Sequence, residues 1–408
     1  MAPAGNFECL AAAVQGGADS VYFGVGHLNM RSHSANNFNP EDLPEICRIC
    51  HEAGIKAYLT LNIVLYDEDF APMRQTLDMA LKAGVDAVIA SDLAVIMYCR
   101  QIGLEVHIST QLNISNIEAL RFFAAYADVI VLARELRLDQ VRHISRTIEE
   151  EQICGPSGNL VKIEMFCHGA LCMAVSGKCY LSLHEYAASA NRGSCYQLCR
   201  RGYTVTEIGG DAQFNIENKY IMSPKDLCTI EFLDKMAEAG VTVFKIEGRA
   251  RGAEYVKTVS SAYRRAADAL EAGEFSAELA SGLKGELATV FNRGFWDGYY
   301  QGARLGEWSD VYGNRATRTK TYIGRVTNWY ERLGVAEITL EGGSFSVGDH
   351  LLFTGATTGA VETDVAEIHR DNPDTGAREV VSTAAKGDVC SIKTGGRLRR
   401  GDRVFLFQ

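Results

Sequence analysis

The sequence predicts an α/β protein in which a (β/α)8 TIM-like barrel is followed by a small antiparallel β-barrel domain. The first observation is a recurring unit, in which a helical pattern ends in a small residue and glycine and a short apolar strand follows at once. The second is that these strands are continuous and rich in Val and Ile, as strands buried on both faces of a parallel sheet are. The third is a change of pattern near residue 312, after which long helical patterns cease. We therefore expect a barrel over 1–311 and a β-domain over 312–408.

The recurring unit accounts for eight strands. In chain order they lie in MAPAGN, GGADSVYFGVG, EAGIKAYLTLN, KAGVDAVIASD, QIGLEVHISTQ, ADVIVLARE, VKIEMFCHG and EAGVTVFKIEGR. The glycine suits the left-handed C-cap of a helix. Eight such units in about 250 residues fit a (β/α)8 barrel. A doubly wound open sheet is the alternative, although it normally carries a glycine-rich phosphate turn that this sequence lacks.

Polar side chains follow the predicted strands directly. Active sites of barrel enzymes lie at the carboxyl ends of the strands, so these side chains predict a polar pocket. For each of them a structural role, such as a helix cap, is the alternative. The predicted substrate-binding residues are Asn62, Gln111, Arg134, Lys245, Glu247 and Arg249, and the predicted catalytic residues are Glu164 and His168.

The segment after residue 312 contains YIGRVTNWY, GVAEITLE, DHLLFTG and DRVFLFQ, short strands separated by glycine turns. This pattern predicts a small antiparallel β-barrel. The chain as a whole has a net charge of −10, yet basic residues concentrate locally in this segment. Such patches could face nucleic acid, with a solvated surface as the alternative. The candidate RNA-binding residues are Arg315, Arg318, Lys320, Arg325, Arg399 and Arg400, with Arg397 and Arg403 nearby and Arg200 and Arg201 beside the cysteine-rich stretch.

The composition indicates an ordinary globular protein. No apolar run approaches the roughly 18 residues of a membrane span. The N-terminal residues MAPAGNFECL show no signal peptide pattern, so we expect a cytoplasmic protein without a membrane partner. Twelve cysteines in a reducing compartment are expected to be ligands or buried thiols rather than disulfides.

Seven of the cysteines crowd into one fifth of the chain, and three of them lie in IEMFCHGALCMAVSGKCYLS, from Ile163 to Ser182. A cysteine nucleophile with His168 as its base is one interpretation. Zinc usually draws on tight CxxC pairs, whereas the spacings here are wide and irregular. An iron–sulfur cluster accepts thiolates from separate loops. From the residues alone, the cluster, zinc and buried thiols all stay open.

The stretch EMFCHGALCMAVSGKCYLS resembles the signature of the collagenase-like peptidase family U32. NRGSCYQLCRRGY, MSPKDLC, FKIEGRARG and the opening APAGNFECLAAAVQGGADSVYFG are also similar to that family, and the segment NMRSHSANNF resembles its tRNA uridine hydroxylation branch. The resemblance spans the predicted barrel and includes the following β-domain. Members of the family include tRNA and ribosomal RNA hydroxylation proteins and an accessory pair for oxygen-independent ubiquinone hydroxylation.

The resemblance implies a [4Fe-4S] cluster held by Cys172, Cys179, Cys195 and Cys228, with Cys167 and Cys199 as alternative ligands. It also implies oxygen-independent hydroxylation of the wobble uridine of tRNA to 5-hydroxyuridine, with prephenate or a related small molecule as precursor and an unidentified electron donor. A peptidase and an RNA-binding protein with a structural metal cluster are the alternatives. We expect the β-domain to grip the tRNA body while the barrel mouth takes the base from the anticodon loop, where unstacking costs little.

Overall fold

The computed structural model describes residues 1–33, 37–210, 213–216, 222–303, 306–309, 313–371 and 377–408. Its first part alternates strands and helices. The strands are β1 (Ala2–Ala4), β2 (Ser20–Phe23), β3 (Lys56–Leu61), β4 (Ala87–Ala90), β5 (Val106–Ile108), β6 (Val129–Val131), β7 (Lys162–Gly169), β8 (Tyr203–Thr206), β9 (Gln213–Ile216), β10 (Asp226–Cys228), β11 (Val241–Ile246) and β12 (Phe295–Trp296).

Helices follow most of these strands. They are α1 (Phe7–Gln15), α2 (Leu43–Glu52), α3 (Phe70–Ala83), α4 (Leu93–Ile102), α5 (Ile117–Ala124), α6 (Leu138–Glu150), α7 (Leu181–Tyr186), α8 (Leu233–Glu238), α9 (Ala253–Ala272) and α10 (Ala277–Leu287). The predicted glycine caps are present: Gly84 ends α3 with φ of 83° and Gly103 ends α4 with φ of 77°. Both lie in the left-handed region, where a residue with a Cβ is strained. Of the described helices, none combines the length and apolarity that crossing a membrane requires.

All eight predicted strands are present and belong to one parallel arrangement. Strands β1 to β7 pair in sequence order, and β11 pairs in parallel with the other side of β7. The backbone of Met1 joins the two ends of this series, because its amino group donates to Phe244 O at 2.8 Å and its carbonyl accepts from Ile246 N at 3.1 Å. The parallel α/β architecture is thus confirmed, and closure into a complete barrel stays a prediction.

The second part of the chain is antiparallel, as predicted. Its strands are β13 (Lys320–Tyr330), β14 (Val335–Leu340), β15 (Ser344–Ser346), β16 (His350–Gly355), β17 (Gly359–Asp364), β18 (Ile368–Asp371), β19 (Arg378–Val381), β20 (Thr383–Ala385), β21 (Val389–Lys393) and β22 (Arg403–Phe407). Eight of them form one sheet in the order β17-β16-β22-β13-β14-β21-β18-β19. Its core, which includes Ile323, Val326 and Phe353, is separate from the core of the parallel sheet. The predicted domain boundary at 311/312 lies outside the described residues.

The antiparallel sheet packs against α1 of the first part. Gln15 bridges the two, because its amide donates to Thr358 O at 2.7 Å and accepts from Ala360 N at 3.0 Å. Arg403 forms an ion pair with Glu8 of α1 at 2.6 Å. The sheet meets the first part at two helices, because β16 and β17 contact α1 and β17 also contacts α9.

Candidate active site

A cavity of about 370 Å³ lies at the carboxyl ends of the parallel strands, and we call it the strand-end cavity. Parallel strands bring their carboxyl ends to one edge of the sheet, so residues far apart in sequence converge there. Asn62 follows β3, Gln111 follows β5 and Arg134 follows β6. Lys245 lies in β11, and Glu247 and Arg249 follow that strand. The six predicted substrate-binding residues all line it: Asn62, Gln111, Arg134, Lys245, Glu247 and Arg249.

The strand-end cavity is strongly cationic although the chain has a net charge of −10. Of the described residues that line it, Glu247 is the one acidic side chain. The cationic side chains are Arg31, Arg134, Arg200, Lys245, Arg249, Arg251 and Arg293. A concave site lined by one sign of charge concentrates ligands of the opposite sign. The cavity is therefore suited to an anionic ligand.

Glu247 organises part of this charge. Its carboxylate lies 2.5 Å from the Arg31 guanidinium. Burial acts to raise the pKa of Glu247, but Arg31 and Arg249 outweigh it and lower that pKa to about 2. Glu247 is thus ionised at neutral pH and pairs with Arg31, while Lys245 pairs with Glu164 and Arg293 with Asp226. Among the described ion pairs these leave a positive excess of four cavity arginines, which are Arg134, Arg200, Arg249 and Arg251.

Two arginines are held in place by neutral partners. Arg134 donates to Ser176 Oγ at 2.8 Å and lies over the Phe166 ring at 5.3 Å. Arg249 donates to Thr60 Oγ1 at 2.7 Å, whereas its buried Nε has no hydrogen-bond partner. Because neither is neutralised by these contacts, both keep their charge available to a ligand.

Residues 170–202, which we call the cysteine loop, cross the mouth of the strand-end cavity. Cys172, Cys179, Cys195 and Cys199 line the cavity together, and all twelve cysteines are free thiols. Gly177 fixes the loop, because at φ of 73° a Cβ there would approach Gln111 Oε1 to 2.4 Å. Arg200, predicted to contact RNA, donates to Leu171 O of the loop at 2.7 Å and to Pro224 O outside the loop at 2.5 Å.

The electrostatics of the cavity act on one of these thiols. Desolvation acts to raise the pKa of Cys172, but the guanidinium groups of Arg134 and Arg31 act more strongly and lower it. A thiol metal ligand must be deprotonated to bind. The position of Cys172 between two guanidinium groups therefore favours the form that binds metal.

The structure does not bring Cys228 to this site. Cys228 ends β10, pairs with His168 of β7 and lines a different cavity together with Lys284 and Trp296. Its alternative Cys167 is fully buried and donates from Sγ to Lys245 O at 3.4 Å. Of the predicted ligands, Cys172, Cys179 and Cys195 line the strand-end cavity and Cys228 does not, whereas Cys199 is the fourth cysteine of that lining. The ligand set itself stays a prediction. Among the described residues no group of His, Cys, Asp and Glu is close enough to hold a single metal ion.

Glu164 lies beneath the cavity rather than in its wall. Its side chain is completely buried, and its Oε1 accepts from Lys245 Nζ at 2.6 Å. Lys245 itself reaches the cavity, where its ammonium group lies 4.8 Å from the centre of the Tyr22 ring. The second oxygen, Glu164 Oε2, is buried without a hydrogen-bond partner. Glu164 therefore acts on the cavity only through Lys245.

His168 is directed away from the strand-end cavity, and a catalytic role for it stays a prediction. A register irregularity between β7 and β11 falls between Phe166 and His168 and changes the face on which His168 lies. Its ring packs against Tyr255, Tyr263 and Phe295, with centroid distances of 5.6 to 6.0 Å. Burial, with a smaller contribution from Arg251, lowers the pKa of His168 to about 3.

This burial predicts an acid-sensitive step in stability. The folded pKa lies below the unfolded value of 6.5, so the unfolded chain binds the extra proton as the pH falls below 6.5. At pH 5 this costs about 2 kcal/mol of unfolding free energy. We expect His168→Gln to lose less stability than the parent chain between pH 7 and pH 5, measured by urea unfolding. Equal losses in both proteins would contradict a neutral, buried His168.

Three of the six predicted RNA-binding residues of the antiparallel part carry acidic partners. Arg318 pairs with Glu362 at 3.3 Å, Lys320 with Glu254 at 2.7 Å and Arg325 with Glu341 at 2.5 Å. Arg397 pairs with Glu331 at 3.4 Å. Arg399 and Arg400 are exposed, and Arg315 donates its backbone N–H to Asn292 O. A grip on tRNA by this sheet stays a prediction, and these ion pairs weaken the charge argument for it.

Several residues of the cavity could not be selected from strand ends. Arg31 lies eight residues beyond β2, Asn191 lies in the cysteine loop and Arg293 follows α10. The one sequence signal for Arg31 and Asn191 is that each lies in a stretch resembling the family, NMRSHSANNF and NRGSCYQLCRRGY. Arg293 carries no such signal.

The fold and the cavity define an α/β protein with a concave, cationic, thiol-lined site at its strand ends, an arrangement typical of an enzyme. The model of peptidase family U32 matches residues 5–310. The chain belongs to that family.

Curated relatives within the family carry two kinds of name. The chain is 56% identical over 407 residues to a collagenase of Porphyromonas gingivalis, covering 100% of this chain and 97% of the relative. It is 35% identical to a tRNA hydroxylation protein of Bacillus subtilis, covering 87% and 83%. It is 34% identical to a 23S rRNA 5-hydroxycytidine synthase of Escherichia coli, covering 75% of this chain and 46% of that relative.

Proposed function

We propose that this protein hydroxylates a pyrimidine base in RNA, and that its substrate is the wobble uridine of tRNA, converted to 5-hydroxyuridine without molecular oxygen. The observation that carries the proposal is the cationic strand-end cavity with four thiols at its mouth. The names of the relatives from Bacillus subtilis and Escherichia coli, which act on tRNA and rRNA, support the same class of reaction.

The positive excess of the cavity suits the anionic groups of this reaction. An RNA substrate brings phosphates, and prephenate or a related precursor brings two carboxylates. Guanidinium groups bind both in bidentate fashion. Arg134 and Arg249 line the cavity with partners that are neutral, so both are suited to an incoming anion.

Unpartnered amide oxygens suit the base itself. Gln111 Oε1 and Asn191 Oδ1 are buried, and both residues line the cavity. Buried acceptors without a donor are costly unless a ligand or water supplies one. The N3–H of uracil is such a donor. We therefore assign Gln111 and Asn191 to recognition of the base edge.

The cysteines around the mouth fit an iron–sulfur cluster. Four free thiols from separate parts of the cysteine loop line one cavity, and this donor set is the one that a [4Fe-4S] cluster requires. Cys172, Cys179, Cys195 and Cys199 would hold it. When bound, such a cluster supplies one-electron transfer beside the substrate, while Arg134 and Arg31 keep the Cys172 ligand in its thiolate form.

The peptidase alternative rests on the family name and on the collagenase of Porphyromonas gingivalis. A cysteine peptidase needs a histidine within reach of its thiol. Of the described residues that line the strand-end cavity none is a histidine, and His168 faces away from it. This geometry favours the RNA-modifying function.

Complementation tests the proposal. The chain is expressed in a Bacillus subtilis strain that lacks its tRNA hydroxylation proteins, and digested tRNA is analysed by mass spectrometry for 5-hydroxyuridine. We expect the nucleoside to reappear with the parent chain and to fall at least tenfold with Arg134→Ala. In parallel, the purified protein is incubated with denatured collagen. Cleavage of collagen without restored 5-hydroxyuridine would replace this proposal with the peptidase.

A further inference from the structure

Three exposed tyrosines lie in the cysteine loop, and a fourth, Tyr66, packs against Arg192 of that loop. Tyr66, Tyr180, Tyr186 and Tyr196, which we call the tyrosine rim, are exposed by 51%, 74%, 46% and 50%. Tyr180 and Tyr196 directly follow Cys179 and Cys195, both of which line the cavity. Leaving large rings in water forfeits burial energy, and a concentration of them beside a cavity marks an interaction surface.

The rim is held by cations and by ring contacts. The Arg192 guanidinium lies 4.0 Å from the centre of the Tyr66 ring and forms an ion pair with Asp69 at 2.7 Å. Arg201 donates to Tyr186 Oη at 2.7 Å. The Tyr186 and Tyr196 rings meet edge to face at 5.3 Å. These contacts fix the orientations of the Tyr66, Tyr186 and Tyr196 rings in advance, so little conformational entropy is lost there when a planar partner docks.

We propose that the tyrosine rim is the surface on which the unpaired bases of a single-stranded RNA loop stack while one base enters the strand-end cavity. The inference rests on the proposed function and assigns its RNA contact to particular side chains. Aromatic rings accept any base face, and stacking of this kind combines with a positive groove in proteins that bind single strands. Here the cysteine loop, which carries three of the rings, also lines the cationic cavity.

Charge complementarity favours the rim over the antiparallel sheet as the main RNA contact. Phosphate contacts require cations that are available to the ligand. Arg318, Lys320 and Arg325 of the sheet are paired with carboxylates. In the strand-end cavity, by contrast, three of the seven cations have carboxylate partners, whereas Arg134 and Arg249 donate to neutral oxygens.

The test uses iron-loaded full-length protein purified anaerobically and a fluorescent RNA hairpin with an unpaired loop. Tyr180→Ala and Tyr196→Ala are compared with Tyr180→Phe and Tyr196→Phe, which keep the ring. We expect each alanine variant to bind about tenfold more weakly, and the phenylalanine variants to bind within twofold of the parent. A fully paired duplex should bind all five proteins weakly and alike. The double variant Arg399→Glu with Arg400→Glu is the control that tests for RNA binding by the antiparallel sheet.

Three outcomes would overturn the inference: unchanged affinity in both alanine variants, no binding of the hairpin by the parent chain, or hairpin binding that a collagen peptide displaces. Iron content and cellular 5-hydroxyuridine separate this failure from failure of the proposed function. If the rim variants bind and modify RNA normally, the assignment of RNA binding to the tyrosine rim is wrong and the proposed function is retained. If the parent chain binds the hairpin through the rim but makes no 5-hydroxyuridine, the proposed function is wrong and the assignment of RNA binding to the tyrosine rim is retained.

Discussion

Replacing Cys199 by alanine should remove most of the iron from anaerobically purified protein, whereas replacing Cys228 by alanine should leave iron near the parent level. Cys199 lines the strand-end cavity together with Cys172, Cys179 and Cys195. Cys228 lines another cavity and lies in β10, which pairs with β7. Burial raises the pKa of Cys199 and that of Cys228 alike to about 11, so the prediction rests on which thiols line the strand-end cavity. Iron and acid-labile sulfide per chain, together with the visible absorption spectrum, measure the outcome.

Cys47→Ala is the matched control, because Cys47 is buried in α2 and far from the cysteine loop. It should retain full iron content. Loss of iron in Cys228→Ala with full iron in Cys199→Ala would restore the ligand set implied by family resemblance. That result would require the cysteine loop and β10 to rearrange around the cluster.

The pocket could be predicted from sequence because parallel strands impose its geometry. Each strand that ends in a polar residue places it at the same edge of the sheet, so Asn62, Gln111 and Arg134 converge without any knowledge of loops. Strand period also predicts which face a residue occupies. His168 breaks that rule, because the irregularity in β7 is a backbone feature that no residue pattern announces.

The fourth ligand and the basic residues of the antiparallel part show a second limit. Spacing along the chain cannot distinguish Cys199 from Cys228, since the loop path between them decides which thiol reaches the cavity. Likewise, Lys320 is neutralised by Glu254, which is distant in sequence, and Arg325 by Glu341, which lies across a turn. Local charge runs therefore overstate the positive surface of a folded protein.

The buried ion pair below the cavity was not predictable as a pair, although both members were selected from strand ends. Lys245 Nζ and Glu164 Oε1 lie 2.6 Å apart, with side-chain exposures of 5% and 0%. Removing both charges from water is expensive, and the attraction between them offsets that cost only while both are present. The pair therefore makes each residue sensitive to replacement of the other.

Lys245→Met should destabilise the protein by about 3–5 kcal/mol, because it leaves the Glu164 carboxylate buried without a cation. The double variant Glu164→Leu with Lys245→Met removes both charges at similar volume, and it should recover most of that loss. Urea unfolding of the parent, the single variants and the double variant measures this as a double-mutant cycle. If Lys245→Met unfolded within about 1 kcal/mol of the parent, the pair would not be a structural unit. The double variant also separates an effect on folding from an effect on activity. If it folds but makes no 5-hydroxyuridine, the Lys245 ammonium group is required in the cavity itself. Arg134 and Arg249 alone then do not replace it.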